Sequence, residues 1–180
     1  MMKDKRILLG ISGGIAAYKC GELIRLFVRA GAEVKVIATR NALQFITPMT
    51  LQTLSRNRVY TEMFDTSGDI TPEHISHADW ADMMVVAPAS ADIIGKFACG
   101  IADDALSTTF LAFDKPVFIA PAMNTRMYCH PVVQRNLASL RSLGVRVIEP
   151  VEGELACGSS GKGRMAEPAD IVEFITKETE

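Results

Sequence analysis

Five short runs rich in Val, Ile and Leu recur along the chain: RILLGIS at 6–12, EVKVIAT at 33–39, DMMVVAP at 82–88, KPVFIAP at 115–121 and VRVIEP at 145–150. Longer stretches with helical periodicity separate them. The runs lack strict apolar–polar alternation, so they suit strands covered on both faces rather than strands with one wet face. Strands that alternate with helices require crossovers, and right-handed crossovers lay helices on both sides of a parallel sheet. The expected fold is therefore α/β, a three-layer α/β/α Rossmann-like doubly wound parallel sheet, with residues 1–180 forming a single domain. A length of 180 residues and a hydrophobic content of 48% suit one core of that kind. Segment 168–177 reads as a closing helix. Segment 61–76, TEMFDTSGDITPEHIS, carries Gly68, Pro72 and several acids and is expected to leave the core as a long loop.

A formal net charge of -2 gives no broad basic field, which argues against nucleic acid or an anionic membrane as main partners. The apolar run near the start meets Ser12, Gly13 and Gly14 too early for a secretory core, and a cytoplasmic protein is expected. Cys20, Cys99, Cys129 and Cys157 form no C-x-x-C pair, and with three scattered histidines they suggest neither a metal site nor a disulfide framework. Cys20 and Cys99 fall in helical patterns and are expected to be buried and inert. Trp80 and the nine methionines are expected to pack the core.

The first chemical signal follows the first strand, in Gly10, Ile11, Ser12, Gly13 and Gly14. A strand, a glycine turn and a helix start make an anion cradle, because the first backbone N–H groups of a helix lack partners and Ser12 adds a hydroxyl. The pattern is not G-x-G-x-x-G, and the second strand ends in Ala38, Thr39, Arg40 and Asn41 rather than in an acid that would hold the ribose of NAD. Arg40 suits the extra phosphate of NADP; Thr39 beside the glycines suits a monophosphate such as that of a flavin mononucleotide equally well.

Two later strands end alike, in VVAPAS at 85–90 and FIAPAM at 118–123, at the edge where α/β sheets bind ligands. Pro88, Ala89, Ser90 and Ala122 should therefore face one crevice. Ser90, Ser107, Thr108 and Thr109 supply hydroxyls either to a ligand or to helix caps. Asn124 sits where a helix should begin and can cap it or present its amide to a carboxylate. In ACGSSGKGRM at 156–165, where neither helix nor strand is expected, Cys157 lies near Lys162 and Arg164, whose charge favours a thiolate or an anionic substrate.

GISGGIAAYK at 10–19, HISHADWAD at 74–82, PASAD at 88–92, PAMNTRM at 121–127 and ACGSSGKGRM at 156–165 occur in this order over nearly the whole chain. In these motifs the chain resembles the homo-oligomeric flavin-containing cysteine decarboxylase family. The resemblance implies an FMN-binding flavoprotein domain, assembly as a homotrimer or homododecamer, and active sites formed between subunits. Within the family it points to the branch that decarboxylates 4'-phosphopantothenoylcysteine in coenzyme A synthesis, with a phosphopantothenate-cysteine ligase fused or separate. By the same resemblance His74 is the catalytic histidine, Asn124 the ligand of the substrate carboxylate with Met127 beside it, and Cys157 the thiol that reprotonates the product. Asp92 stands where the peptide-modifying branch carries Asn, and His77 where the motif usually has an aliphatic residue. Peptidyl-cysteine decarboxylases, flavin prenyltransferases, a non-catalytic FMN-binding regulatory subunit and an NADP-dependent reductase are the alternatives.

Overall fold

The computed structural model describes residues 2–63, 73–154 and 160–179. Its main sheet has six strands, β1 Arg6–Ile11, β2 Glu33–Ala38, β3 Val59–Tyr60, β4 Met83–Ala89, β5 Val117–Pro121 and β6 Arg146–Val147. They lie in the order β3-β2-β1-β4-β5-β6, and every neighbouring pair is parallel. The five apolar runs each supply one strand. β3 is the addition, a two-residue strand too short to carry a pattern.

The period of two along the strands divides the core. Ile7, Leu9 and Ile11 of β1 face one side with Val85 of β4 and Phe118 of β5; Leu8 faces the other with Met84, Val86 and Ile119. Helices α1 Cys20–Arg29, α2 Pro48–Ser55 and α8 Pro168–Glu178 cover the first face, through Leu23, Ile24, Phe27, Leu51, Ile171 and Ile175. Helices α3 Glu73–Trp80, α4 Ala91–Cys99, α5 Ala105–Leu111 and α7 Pro131–Ser142 lie over the second, where Ile93, Phe97, Leu106, Leu137 and Leu140 are buried. Each such side chain contributes about 1.5–3 kcal/mol relative to exposure.

Local sequence sets the ends of these helices. Thr47 and Ser90 cap α2 and α4 with their hydroxyls, Asp104 and Ser107 form a reciprocal capping box on α5, and Pro48, Pro131 and Pro168 open their helices. Gly100, at φ 66°, closes α4 in the left-handed conformation.

Three expectations are corrected. Segment 156–165 was expected to hold no strand, yet Ser160–Arg164 forms β8, paired antiparallel with β7 Val151–Glu154. In the 61–76 excursion, residues from Glu73 onward belong to α3. Cys99 is exposed rather than buried, because it ends α4 on its outer side, and Met49 and Met127 are exposed rather than in the core. No helix among the described residues is long and apolar enough to cross a membrane.

Candidate functional site

In the strand order the chain direction of winding reverses between β1 and β4, and a crevice opens there beyond the carboxyl ends of the strands. Four adjacent strands, β2, β1, β4 and β5, end at that edge. They bring together Thr39, the run Ser12–Gly13–Gly14, the run Pro88–Ala89–Ser90, and Ala122 with Asn124.

The glycine loop is followed by a 3₁₀ turn, Ile15–Lys19, that leads into α1. Gly14 precedes that turn and no side chain caps it. Among the described residues a Cβ placed on Gly14 would meet no atom within 4 Å, so space is open there where a ligand oxygen could approach the backbone. Gly13 has a different reason to be glycine, since a Cβ there would fall 2.5 Å from Cβ of Asn41 and push the first two strand ends apart. At Gly10 it would fall 2.5 Å from Cδ1 of Leu106, so this residue seats α5 on the sheet.

Several predicted hydroxyls already have partners. Ser12 is 2% exposed, donates to the carbonyl of Pro88 at 2.7 Å and accepts the N–H of Ser90 at 2.8 Å, a clamp that holds the ends of β1 and β4 together. Thr39 Oγ1 accepts from Ala42 N–H at 3.2 Å, and Ser90 caps α4. Ser107 is buried within the capping box, Thr108 Oγ1 lies 2.9 Å from Sδ of Met63, and Thr109 donates to its own helix. Ala122 N–H bonds Ala89 O at 3.0 Å, so the two PA turns are joined directly.

Asn124 caps the short helix α6 Thr125–Tyr128, its side chain accepting from Arg126 N–H at 2.8 Å. Strand β8 lies against this turn: Gly163 O accepts from Met123 N–H at 2.9 Å, and a Cβ on Gly161 would meet Thr125 Oγ1 at 2.8 Å. Thr125 Oγ1 is buried there without a hydrogen-bond partner among the described residues. The two cations of β8 are paired. Lys162 Nζ is 2.8 Å from Glu149, and Arg164 Nη2 is 2.5 Å from Glu167. Glu149 also takes the Tyr128 hydroxyl at 2.9 Å and Arg141 at 2.5 Å. Met127 is exposed beside them. Cys157 lies outside the described residues.

His74 sits half-buried in the first turn of α3, a helix that packs on α5 and β1. Lys115 fixes the other end of α3, donating to the carbonyls of Ala78, Asp79 and Ala81 at 3.1, 2.9 and 2.7 Å. His77, one turn on, lies 5.1 Å from Tyr60 ring to ring at a tilt of 38°, and its Nδ1 is buried without a partner among the described residues. Burial, with Lys35 nearby, pulls its pKa down to about 4. The thiol of Cys20 donates to Ala87 O at 3.1 Å, and burial pushes its pKa up to about 12. Sequence reasoning missed Lys19, Glu149 and Glu167, whose roles depend on partners far along the chain. Among the described residues no cluster of His, Cys, Asp and Glu could hold a metal.

The sequence model of a family described as Flavoprotein matches residues 1–180. The chain is 52% identical over 177 residues to the coenzyme A biosynthesis bifunctional protein CoaBC of Bacillus subtilis (strain 168), a match that covers 98% of this chain and 44% of that protein. It thus spans less than half the length of that relative. A solved structure of a cysteine-to-serine mutant of PPC decarboxylase, complexed with pantothenoylaminoethenethiol, superposes with a TM-score of 0.86 at 37% identity and covers 97% of both chains. The FMN binding protein AtHal3 gives 0.85 at 37% identity over 99% of both.

Proposed function

The chain belongs to the flavoprotein family, and from that premise we propose that it is an FMN-dependent phosphopantothenoylcysteine decarboxylase, working as a homo-oligomer in coenzyme A synthesis. A phosphopantothenate-cysteine ligase, fused or separate, supplies its substrate. One observation carries the reading: four strand ends bring an open glycine cradle and the Asn124 turn to the same crevice. The donor set fits FMN. Backbone N–H groups of the glycine loop suit a phosphate, while the PA turns present small, uncharged surface to a flat ring.

Direct loss of carbon dioxide from a cysteine would leave an unstabilised carbanion. FMN, held by the backbone N–H groups of the glycine loop, would supply the missing electron sink as a reversible hydride acceptor for the thiol-bearing carbon. The protein's residues do the rest. Asn124, a neutral amide already oriented by its cap to Arg126, holds the departing carboxylate without adding a charge that would anchor it in the ground state. His74 takes the thiol proton at its imidazole. Cys157 returns a proton to the enethiol carbon, so that a saturated thiol, 4'-phosphopantetheine, leaves. Lys162 and Arg164, proposed as substrate cations from sequence, serve better as anchors of β8, because each already faces a carboxylate.

The test is incubation of the purified protein with phosphopantothenoylcysteine and a mass spectrum of the product. Loss of carbon dioxide alone supports the full cycle. Loss of carbon dioxide and two hydrogens points to the chemistry of the peptidyl-cysteine branch, and an unchanged mass overturns the reading.

A further inference from the structure

Lys19 ends the 3₁₀ turn behind the glycine loop and is only 8% exposed. An ammonium so covered requires an anion. Glu167 provides it, with both carboxylate oxygens accepting from Lys19 Nζ at 2.9 and 2.8 Å. The same carboxylate receives Arg164 at 2.5 Å. These two cations hold it below the usual carboxylate range, the bond from Lys19 being the larger cause. Arg164 ends β8, and β8 meets the Asn124 turn backbone to backbone. Besides the Gly163–Met123 bond, a Cβ on Gly163 would come within 2.3 Å of Met123 O. A continuous path of short contacts therefore runs from Gly14 through Lys19, Glu167, Arg164 and Gly163 to Met123 and Asn124.

We propose that Glu167 is a positioning residue that holds the glycine loop in register with the Asn124 turn, fixing the distance between the cofactor end and the substrate end of the crevice. The proposal rests on the reading of that crevice as an FMN site. Glu167 belongs to no motif singled out from the sequence and acts through Lys19 and Arg164, since its oxygens are committed to them. An exposed Arg–Glu pair alone would contribute little. The buried ammonium makes this network different, because it gives the carboxylate one favourable place.

The experiment titrates FMN into apoprotein and follows quenching of flavin fluorescence, a readout that needs no turnover. Arg164→Met should weaken FMN by about fivefold although Arg164 lies at the far end of the path, and Lys19→Met should raise KM for phosphopantothenoylcysteine by about as much. In a Glu167→Gln background Arg164→Met should not change the FMN Kd, nor Lys19→Met the KM, by more than about twofold. Should Glu167→Gln fail to fold, Lys19→Met/Glu167→Met leaves no buried ion unpaired and serves as the background for Arg164→Met. An unchanged FMN Kd in Arg164→Met overturns the proposal, as do losses that simply add in the Glu167 background. A parent protein that binds FMN without decarboxylating overturns the functional reading alone, leaving the FMN titration to decide this one; a parent that binds no FMN overturns both.

Discussion

His74 and His77 are three residues apart on α3, so both point to one side of it, and burial against Tyr60 sets His77 apart. A histidine held near pKa 4, as burial holds His77, is neutral at pH 7 but has little affinity for a proton, whereas catalysis favours a base close to the working pH. His74→Asn should lower decarboxylation by about a hundredfold or more, while His77→Asn should stay within a few-fold of the parent, both measured as kcat per bound flavin. His77 also sets an acid sensitivity. Its folded pKa lies below the unfolded value of 6.5, so between pH 6.5 and 4 the unfolded chain binds the extra proton and stability falls as pH falls. The loss has an upper bound of about 3 kcal/mol, reduced because His77 is only part-buried. His77→Leu should flatten that part of a Tm–pH profile; an unchanged slope would show that the acidic response comes from elsewhere. Cys157→Ser should let carbon dioxide leave but release a product two hydrogens lighter, read by mass spectrometry, and normal 4'-phosphopantetheine would reject Cys157 as the proton donor.

The β7–β8 hairpin is the element that the sequence concealed. SGKGR has no β-branched or aromatic residue, and strand propensity rates it poorly. It becomes a strand because Gly161 and Gly163, at φ 154° and 150°, let the backbone press on residues 123–125 closer than any side chain would allow. Gly163→Ala should therefore cost about 2–4 kcal/mol in urea unfolding and raise KM, since the clash with Met123 displaces the Asn124 turn. Gly144, at φ 87° with no atom of the described residues within 4 Å of a Cβ, is the control: Gly144→Ala should cost about 1 kcal/mol and leave KM unmoved. The contrast with the central strands is physical. β1, β4 and β5 are buried on both faces, so solvent exclusion writes their positions into the sequence as apolar runs. Whether a hydroxyl caps a helix, clamps two strands or faces a ligand depends on partners that can be 76 residues away, as Pro88 is from Ser12. Asn124 could be placed from sequence only as a cap or a ligand contact, and the cap is now visible.

At the scale of the whole molecule, the crevice has an apolar rim that one copy leaves in water. Ile15 and Tyr18, 57% and 63% exposed, stand on the turn behind the glycine loop, and Phe45 and Met49, 46% and 71% exposed, follow the end of β2. Ala17 and Lys19 of the same turn are buried, so the turn has one face on the core and one turned outward. Large apolar side chains gathered near a ligand cradle favour coverage by another surface. In the proposed homo-oligomer that surface is a second copy, and cofactor binding is then linked to assembly, because ordering the turn for one orders it for the other. Tyr18→Glu places a charge in the covered region. It should shift sedimentation from a trimer or a multiple of trimers toward monomer and weaken FMN by about tenfold or more in the same variant. A parent protein that sediments as a monomer with FMN bound would remove assembly from the mechanism. Dissociation with FMN affinity unchanged would separate the rim from the cradle and leave each subunit with a complete cofactor site of its own.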